Sequence, residues 1–244
     1  LADIDRPYAR LPQLLVNYTK GDVQGLEFEF NNDTAYFKKN IRNFENQAEP
    51  NGTRIFNEMA LRYNLKQPWG FVVPEVSVRS LNNFYDQDTV ENTNFRSNSE
   101  DKSVVVPQFT LDTGLTFERE GKYLQTLSPR AFYAYAPHQN QDDYPNFDST
   151  AASLNYDQLF NPKRFYGHDR LEDNNFLSLG LSYSLFGTTG LEKLRTSIGQ
   201  SFYFDDRKVT LNNSQNDPFN TERQTGPVIS IASQLSQNFS VNAN

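Results

Sequence analysis

The 244-residue chain contains no cysteine, a single methionine and only two histidines. Without cysteine, this segment can build neither a disulfide framework nor a thiolate metal centre. Nowhere do apolar residues run unbroken toward the roughly 18 that a membrane-crossing helix needs. Positive charge is also in deficit, with 23 Lys and Arg against 30 Asp and Glu and a net charge of -7, so the cationic footprint of a nucleic-acid binder is missing. A hydrophobic share of 36% with one methionine argues against a helical core rich in Leu and Ala. The first residues, LADIDRPYAR, show no charged start followed by an apolar stretch, so no signal peptide is expected in what is read as a mature chain or a fragment.

None of these absences excludes a membrane β-barrel. Its strands alternate lipid-facing and lumen-facing residues and look hydrophilic on average, which makes the mean hydropathy of -0.72 neutral evidence. What the chain does have is aromatic residues, 20 Phe and 13 Tyr, set into long alternating runs. Between 104 and 118, Val105, Pro107, Phe109, Leu111, Leu115 and Phe117 share one side, and Gln108, Thr110, Asp112, Gly114, Thr116 and Glu118 the other. A period of two is the signature of a strand with one apolar and one wet face. A barrel strand crossing a bilayer needs roughly 9 to 11 residues, whereas ordinary strands run to about 5 or 6.

Alternation and turn residues together predict strands near 10–18, 23–38, 54–66, 70–82, 104–118, 123–136, 175–187, 192–204 and 226–236. The tail SQNFSVNAN reads as a turn and the start of one more. Short connections at 19–22, 67–69, 119–122 and 186–191 alternate with long polar ones near 40–53, 83–103, 137–174 and 205–225. Outer-membrane barrels follow this rule, with short periplasmic turns and long outer loops. The expected fold class is therefore all-β, a transmembrane antiparallel wall of about nine up-and-down strands. Nine is odd, and an open sheet edge in lipid leaves backbone groups unsatisfied, so residues 1–244 are expected to be one partial domain of a larger barrel.

In that frame Phe109, Leu111, Leu115, Phe117, Leu179, Leu181 and Tyr183 are the lipid-facing candidates. Arg62, Asp112, Glu118, Arg130 and Arg195, with Glu58, are the charged lumen-facing ones. Trp69, Phe71, Tyr133 and Tyr135 suit interfacial girdles. Pro12, Pro74, Pro107 and Pro129 fall inside strands, where each deletes a ladder donor; frayed strand ends and bulges explain them equally well.

Catalytic and metal chemistry find little support. His168, Asp169, Glu172 and Asp173 could offer oxygen and nitrogen ligands, but without calcium-loop spacing they read as solvated loop charge. His138, Asp142, Asp143, Asp148 and Ser149 share a loop, yet no spacing sets a nucleophile beside a base, so no catalytic residue is assigned. Gly114 to Lys122 lacks phosphate-loop spacing and has Tyr123 where Ser or Thr is required. No metal, cofactor or enzymatic activity is expected.

The blocks RPYARLPQL (6–14), VPQFTLDTGLTFER (106–119), QTLSPRAFYAYAP (125–137), LFNPKRFYGHDRLEDNN (159–175) and SIGQSFYF (197–204) carry a more specific message. Together with Asn140, Gln141, Tyr144, Phe147 and Asp148, they resemble the barrel domain of the lipopolysaccharide-assembly (LptD) family. That resemblance implies a barrel of about 26 strands, at the top of the usual range. It further implies an integral outer-membrane location amid outer-membrane lipid, an LptE-like lipoprotein plug, and an LptA-like bridge reached through a periplasmic domain outside this segment. Its implied task is passing lipopolysaccharide into the outer leaflet. The family's cysteines and lateral gate are not in this stretch, so no gate residue carries over. Arg164, Phe165, Gly167, Asp169 and Arg170 are expected to act in loop structure, by lumen packing or partner contact. A porin-like diffusion barrel, a soluble carbohydrate-binding sheet and an outer-membrane enzyme are the alternative readings.

Overall fold

A computed structural model of the chain describes residues 7–21, 24–39, 50–86, 101–211, 218–236 and 239–243. Its strands are β1 (Ala9–Gly21), β2 (Leu26–Lys38), β3 (Gly52–Tyr63), β4 (Leu65–Gln67), β5 (Gly70–Tyr85), β6 (Asp101–Leu115), β7 (Phe117–Arg119), β8 (Leu124–Ala136), β9 (Thr150–Ala151), β10 (Phe165–Tyr166), β11 (Asn174–Phe186), β12 (Glu192–Tyr203), β13 (Val228–Ser236) and β14 (Phe239–Ala243). One antiparallel sheet runs β1-β2-β3-β5-β6-β8-β11-β12-β13-β14, every strand beside its sequence neighbour, with β4 and β7 continuing β3 and β6 along the partners β5 and β8. This is the expected up-and-down wall, and β14 is the strand foreseen in the tail. The sheet stays open at β1 and β14, as a segment of a larger barrel does. Long connections at 40–49, 87–100 and 212–217 lie outside the described residues.

Three prolines account for the places where the wall departs from the expected unbroken strands. Pro74 lies between Glu75, paired with Arg62, and Val72, paired with Leu65, where the facing strand splits into β3 and β4. Pro129 lies between Arg130, paired with Gly114, and Leu127, paired with Phe117, where β6 gives way to β7. At Pro107 the pairing with β8 has not yet begun, since it starts at Phe109 and Tyr135. All three keep register with their other neighbour (Leu111, Leu181 and Val78), so they are mid-strand residues rather than bulges or frayed ends. The missing N–H simply falls on the side where no ladder is formed. Pro12 alone sits in a register shift, between Arg10 and Gln13 on the edge strand.

The two faces of the wall differ. Segment 137–173, which contains the β9–β10 pair and a 3-10 turn (Asp157–Phe160), lies across one of them. Phe56, Leu81, Val106, Tyr144 and Leu171 pack together there, as do Phe132, Leu159, Phe160 and Phe176, and Ala35, Phe37, Tyr85 and Phe147. The opposite face leaves Val76, Val78, Phe109, Leu179, Leu181 and Ile198 exposed. Apolar side chains therefore cover both faces at different positions, but among the described residues only one face has protein against it.

Candidate functional site

The covered face is built from side chains whose charges meet across long sequence separations. Arg54 on β3, fully buried, places Nη1 2.6 Å from both Asp148 and Asp169 and Nη2 3.3 Å from Asp33 on β2. Its guanidinium also lies over the Phe37 ring at 4.6 Å, and that ring stacks on Phe147. The second oxygen of Asp169 accepts the backbone N–H groups of Phe147, Asp148 and Ser149. One turn further along the wall, buried Arg79 holds Glu172 at 2.6 Å, and Arg164 holds Asp173 at 2.6 Å.

This ion cluster sets the protonation of the segment. Burial alone would raise the Asp169 carboxyl, but Arg54 and the backbone donors bring it below the usual range. Asp148, less well supplied with donors, is pushed up by burial. The His168 imidazole is held low by burial and by Arg54; it stacks on Phe56 with centroids 3.9 Å apart, and its Nε2 is 3.9 Å from Asp33. The Tyr144 hydroxyl is pushed up to about 12 by burial.

Each residue of the RF-x-G-x-DR block has a visible place. Arg164 lies 5.2 Å from the Phe165 ring, and Phe165 pairs with Ala151 to form the small β9–β10 ladder. Gly167 has φ +92, a left-handed conformation, and packs on Ser149 where no side chain fits. Arg170 donates to the carbonyls of Tyr144, Pro145 and Asp169 and to those of Thr210 and Leu211, joining two connections. The 3-10 turn seats on glycine: a Cβ at Gly180 would meet Phe160 at 2.5 Å, and one at Gly199 would meet Leu159 at 2.7 Å.

The reading of His168, Asp169, Glu172 and Asp173 as solvated loop charge is overturned. Asp169, Glu172 and Asp173 are buried, because guanidinium groups of Arg54, Arg79 and Arg164 neutralise them. Arg54 and Arg79 were not singled out in the sequence, although both stand on the wet side of their strands, Arg54 with Ala35 and Asn83 opposite it and Arg79 with Glu58 and Val106. Among the described residues no group of three His, Asp or Glu is placed to hold a metal. Ser149 bonds to Asp169 through its hydroxyl as an acceptor from the backbone N–H, and Asp143 meets Lys102, at 3.4 Å.

Nearer the short-turn end, the covered face opens into a cleft of about 610 Å³ lined by Arg62, Glu75, Gln108, Asp112, Arg130 and Lys163, among others. Most of its charges are paired. Arg62 contacts Glu27, Glu29 and Glu75 at 2.7 to 2.9 Å, Arg130 grips Asp112 through two bonds, and Lys163 reaches Glu58. Glu118 shares this face through its pairing with Thr126, and Arg195, more than half exposed, pairs with Glu192. Phe71, expected in a girdle, instead lines the cleft against Gly114. Of the lipid-facing candidates, Phe109, Leu115, Phe117, Leu179 and Leu181 are exposed on the bare face, and Leu111 and Tyr183 are partly so.

A family model for LptD, described as LPS transport system D, matches residues 2–244. The chain belongs to the LptD family. The LPS-assembly protein LptD of Acinetobacter baumannii is 67% identical over 242 residues, which make up 99% of this chain and 29% of that protein. That of Acinetobacter baylyi is 64% identical over 245 residues, 100% of this chain and 30% of its own. The Psychrobacter cryohalolentis protein is 36% identical over 244 residues, 96% of this chain and 24% of its own. The chain thus spans less than a third of the length of these LptD relatives.

Proposed function

We propose that the protein containing this chain transports lipopolysaccharide and inserts it into the outer leaflet of the bacterial outer membrane, and that residues 1–244 are one partial barrel domain of it. The match to the LptD family over residues 2–244 is the observation that carries this reading. In it, the bare apolar face meets lipid, the covered face is the lumen side, short turns face the periplasm and long connections face outward. Arg62, Asp112, Glu118, Arg130 and Arg195 then line or border the lumen. An LptE-like lipoprotein plugs the whole barrel and an LptA-like bridge delivers cargo through a domain outside this stretch. The role is transport, not catalysis. Segment 137–173 supports a plugged lumen over a porin-like channel, since it covers part of the face that a diffusion pore would leave to water.

Depletion of the full-length protein in cells, followed by pulse-labelling, tests this. Newly made lipopolysaccharide is expected to stall in the periplasm and inner membrane. Unchanged arrival at the surface, or a large steady conductance of the reconstituted full-length protein with its plug in place, defeats the reading.

A further inference from the structure

The bare face of the wall is apolar over very different lengths on different strands. On β11 it presents Leu177, Leu179, Leu181, Tyr183 and Leu185, about 27 Å of strand at roughly 3.4 Å per residue. Measured from the same short-turn end, β2 presents only Leu26, Phe28 and Phe30, about 14 Å, before Asn32 and Thr34 take over. On β3 the apolar run Tyr63, Leu61 and Met59 stops at Asn57, and on β5 the run from Val72 to Val78 stops at Ser80 and Asn82.

These polar residues form one row. Asn32 is opposite Asn57, and Asn57 is opposite Ser80. The Asn32 amide donates to Asn57 Oδ1 at 2.8 Å and to the Phe56 carbonyl at 3.1 Å, Thr34 donates to Asn32, and Asn57 donates to Ser80 Oγ at 3.3 Å. Above the row, Ser103 donates to Asn82 at 2.7 Å. An isolated Asn in an apolar band would be an accident of one position; a register-matched ladder across β2, β3 and β5 is a line. Amide and hydroxyl groups with spare lone pairs are costly in hydrocarbon and cost nothing among headgroups and water.

We propose that the outer boundary of the hydrocarbon crosses this wall at the Asn32–Asn57–Ser80 row, so that the bilayer is thinner against β2 and β3 than against β8 and β11. Lipid accommodates a short apolar band by local thinning at modest cost per ångström. The row would then meet lipid headgroups and water, and Ile55, which lies beyond it on β3 and opposite Thr34 and Asn82, would sit outside the hydrocarbon despite its apolar side chain. This inference rests on the membrane reading given above.

The test places a genetically encoded spin-label residue, one at a time, at Ile55, Leu61, Leu181 and Ile198 of the full-length protein in lipid vesicles. Collision with oxygen, which partitions into hydrocarbon, is compared with collision with a water-soluble nickel chelate. Leu61, Leu181 and Ile198 are expected to favour oxygen, and Ile55 to favour nickel by several-fold. Replacing the row by the triple change Asn32→Leu, Asn57→Leu and Ser80→Val should carry the Ile55 label into the oxygen-accessible zone. If Leu181 and Ile198 favour nickel, the membrane reading itself fails. If they favour oxygen and Ile55 does too, or if Ile55 is shielded from both reagents by another protein, the thinning inference alone is overturned.

Discussion

Arg54 on the wall and Asp169 in the covering segment meet at 2.6 Å with both side chains fully buried, although they are separated by 115 positions in sequence. The pair is the centre of the attachment of segment 137–173, because Asp169 also gathers the N–H groups of Phe147, Asp148 and Ser149.

Arg54→Met keeps much of the side-chain volume and removes the charge, taking the shared cation from the carboxylates of Asp33 and Asp169 and leaving Asp148 with only the half-exposed Arg10 at 3.1 Å. Stranding a buried charge typically costs about 3–5 kcal/mol. The full-length variant should show segment 137–173 cut rapidly by protease in intact cells. Protection equal to that of the unaltered protein would show that the apolar clusters alone hold it.

Gly180→Leu should unseat the 3-10 turn, since even a Cβ there meets Phe160 at 2.5 Å and the Tyr156 hydroxyl at 2.7 Å. Gly21→Ala, with nothing within 4 Å of the new methyl, is the matched control. Heat-modified mobility of the full-length barrel, together with cleavage near 156–160, reads the difference; equal behaviour of the two variants would contradict the seating.

The state of His168 makes the attachment sensitive to acid. Its folded value lies below the usual 6.5, so between the two the unfolded segment binds more protons than the folded one. Stability is therefore present above about 6.5 and falls as pH drops through that window. Asp169, also lowered, adds a loss of the same sign in stronger acid, whereas raised Asp148 acts oppositely, losing its contribution as pH rises through its own value. Protease protection of 137–173 should hold from pH 8 to pH 7 and decline below about 6.5. His168→Phe, which keeps the stack on Phe56, should flatten that decline; an unchanged profile would remove His168 from the account.

Leu181→Arg puts a guanidinium on the bare face at the middle of β11, where Leu181 faces Ile198 and Pro129. Near a bilayer midplane such a change costs about 2–4 kcal/mol in a barrel. Reversible unfolding of the full-length protein from lipid vesicles should show a loss of that size, against almost none for Leu181→Ile. A loss under about 0.5 kcal/mol would mean that this face meets water.

The wall was legible because alternation depends only on neighbours in sequence: Leu177 to Leu185 and Val105 to Phe117 declare their faces without knowledge of the rest. The breaks at Pro74 and Pro129 were half legible, since the proline is visible but the side on which its donor is missed depends on the register of three strands. The covering segment was not legible. Asp169, Glu172 and Asp173 look like hydrated loop charge until Arg54 and Arg79 are brought beside them. The sequence signal that existed was an arginine on the wet side of β3 with no acid opposite it, unlike Arg62, which has Glu75; the arginine on the wet side of β5 stands opposite Glu58 and so looked already matched.

The attachments of segment 137–173 also fix an order of events in assembly. Arg54 and Arg79 belong to strands that precede the segment, and Gly180 and Gly199, on which its 3-10 turn rests, belong to strands that follow it. The segment cannot find all of its seats until β3, β5, β11 and β12 stand in one continuous sheet. Its docking is then a check on strand order: a wall joined in the wrong sequence would leave guanidinium groups without carboxylates and glycines without rings.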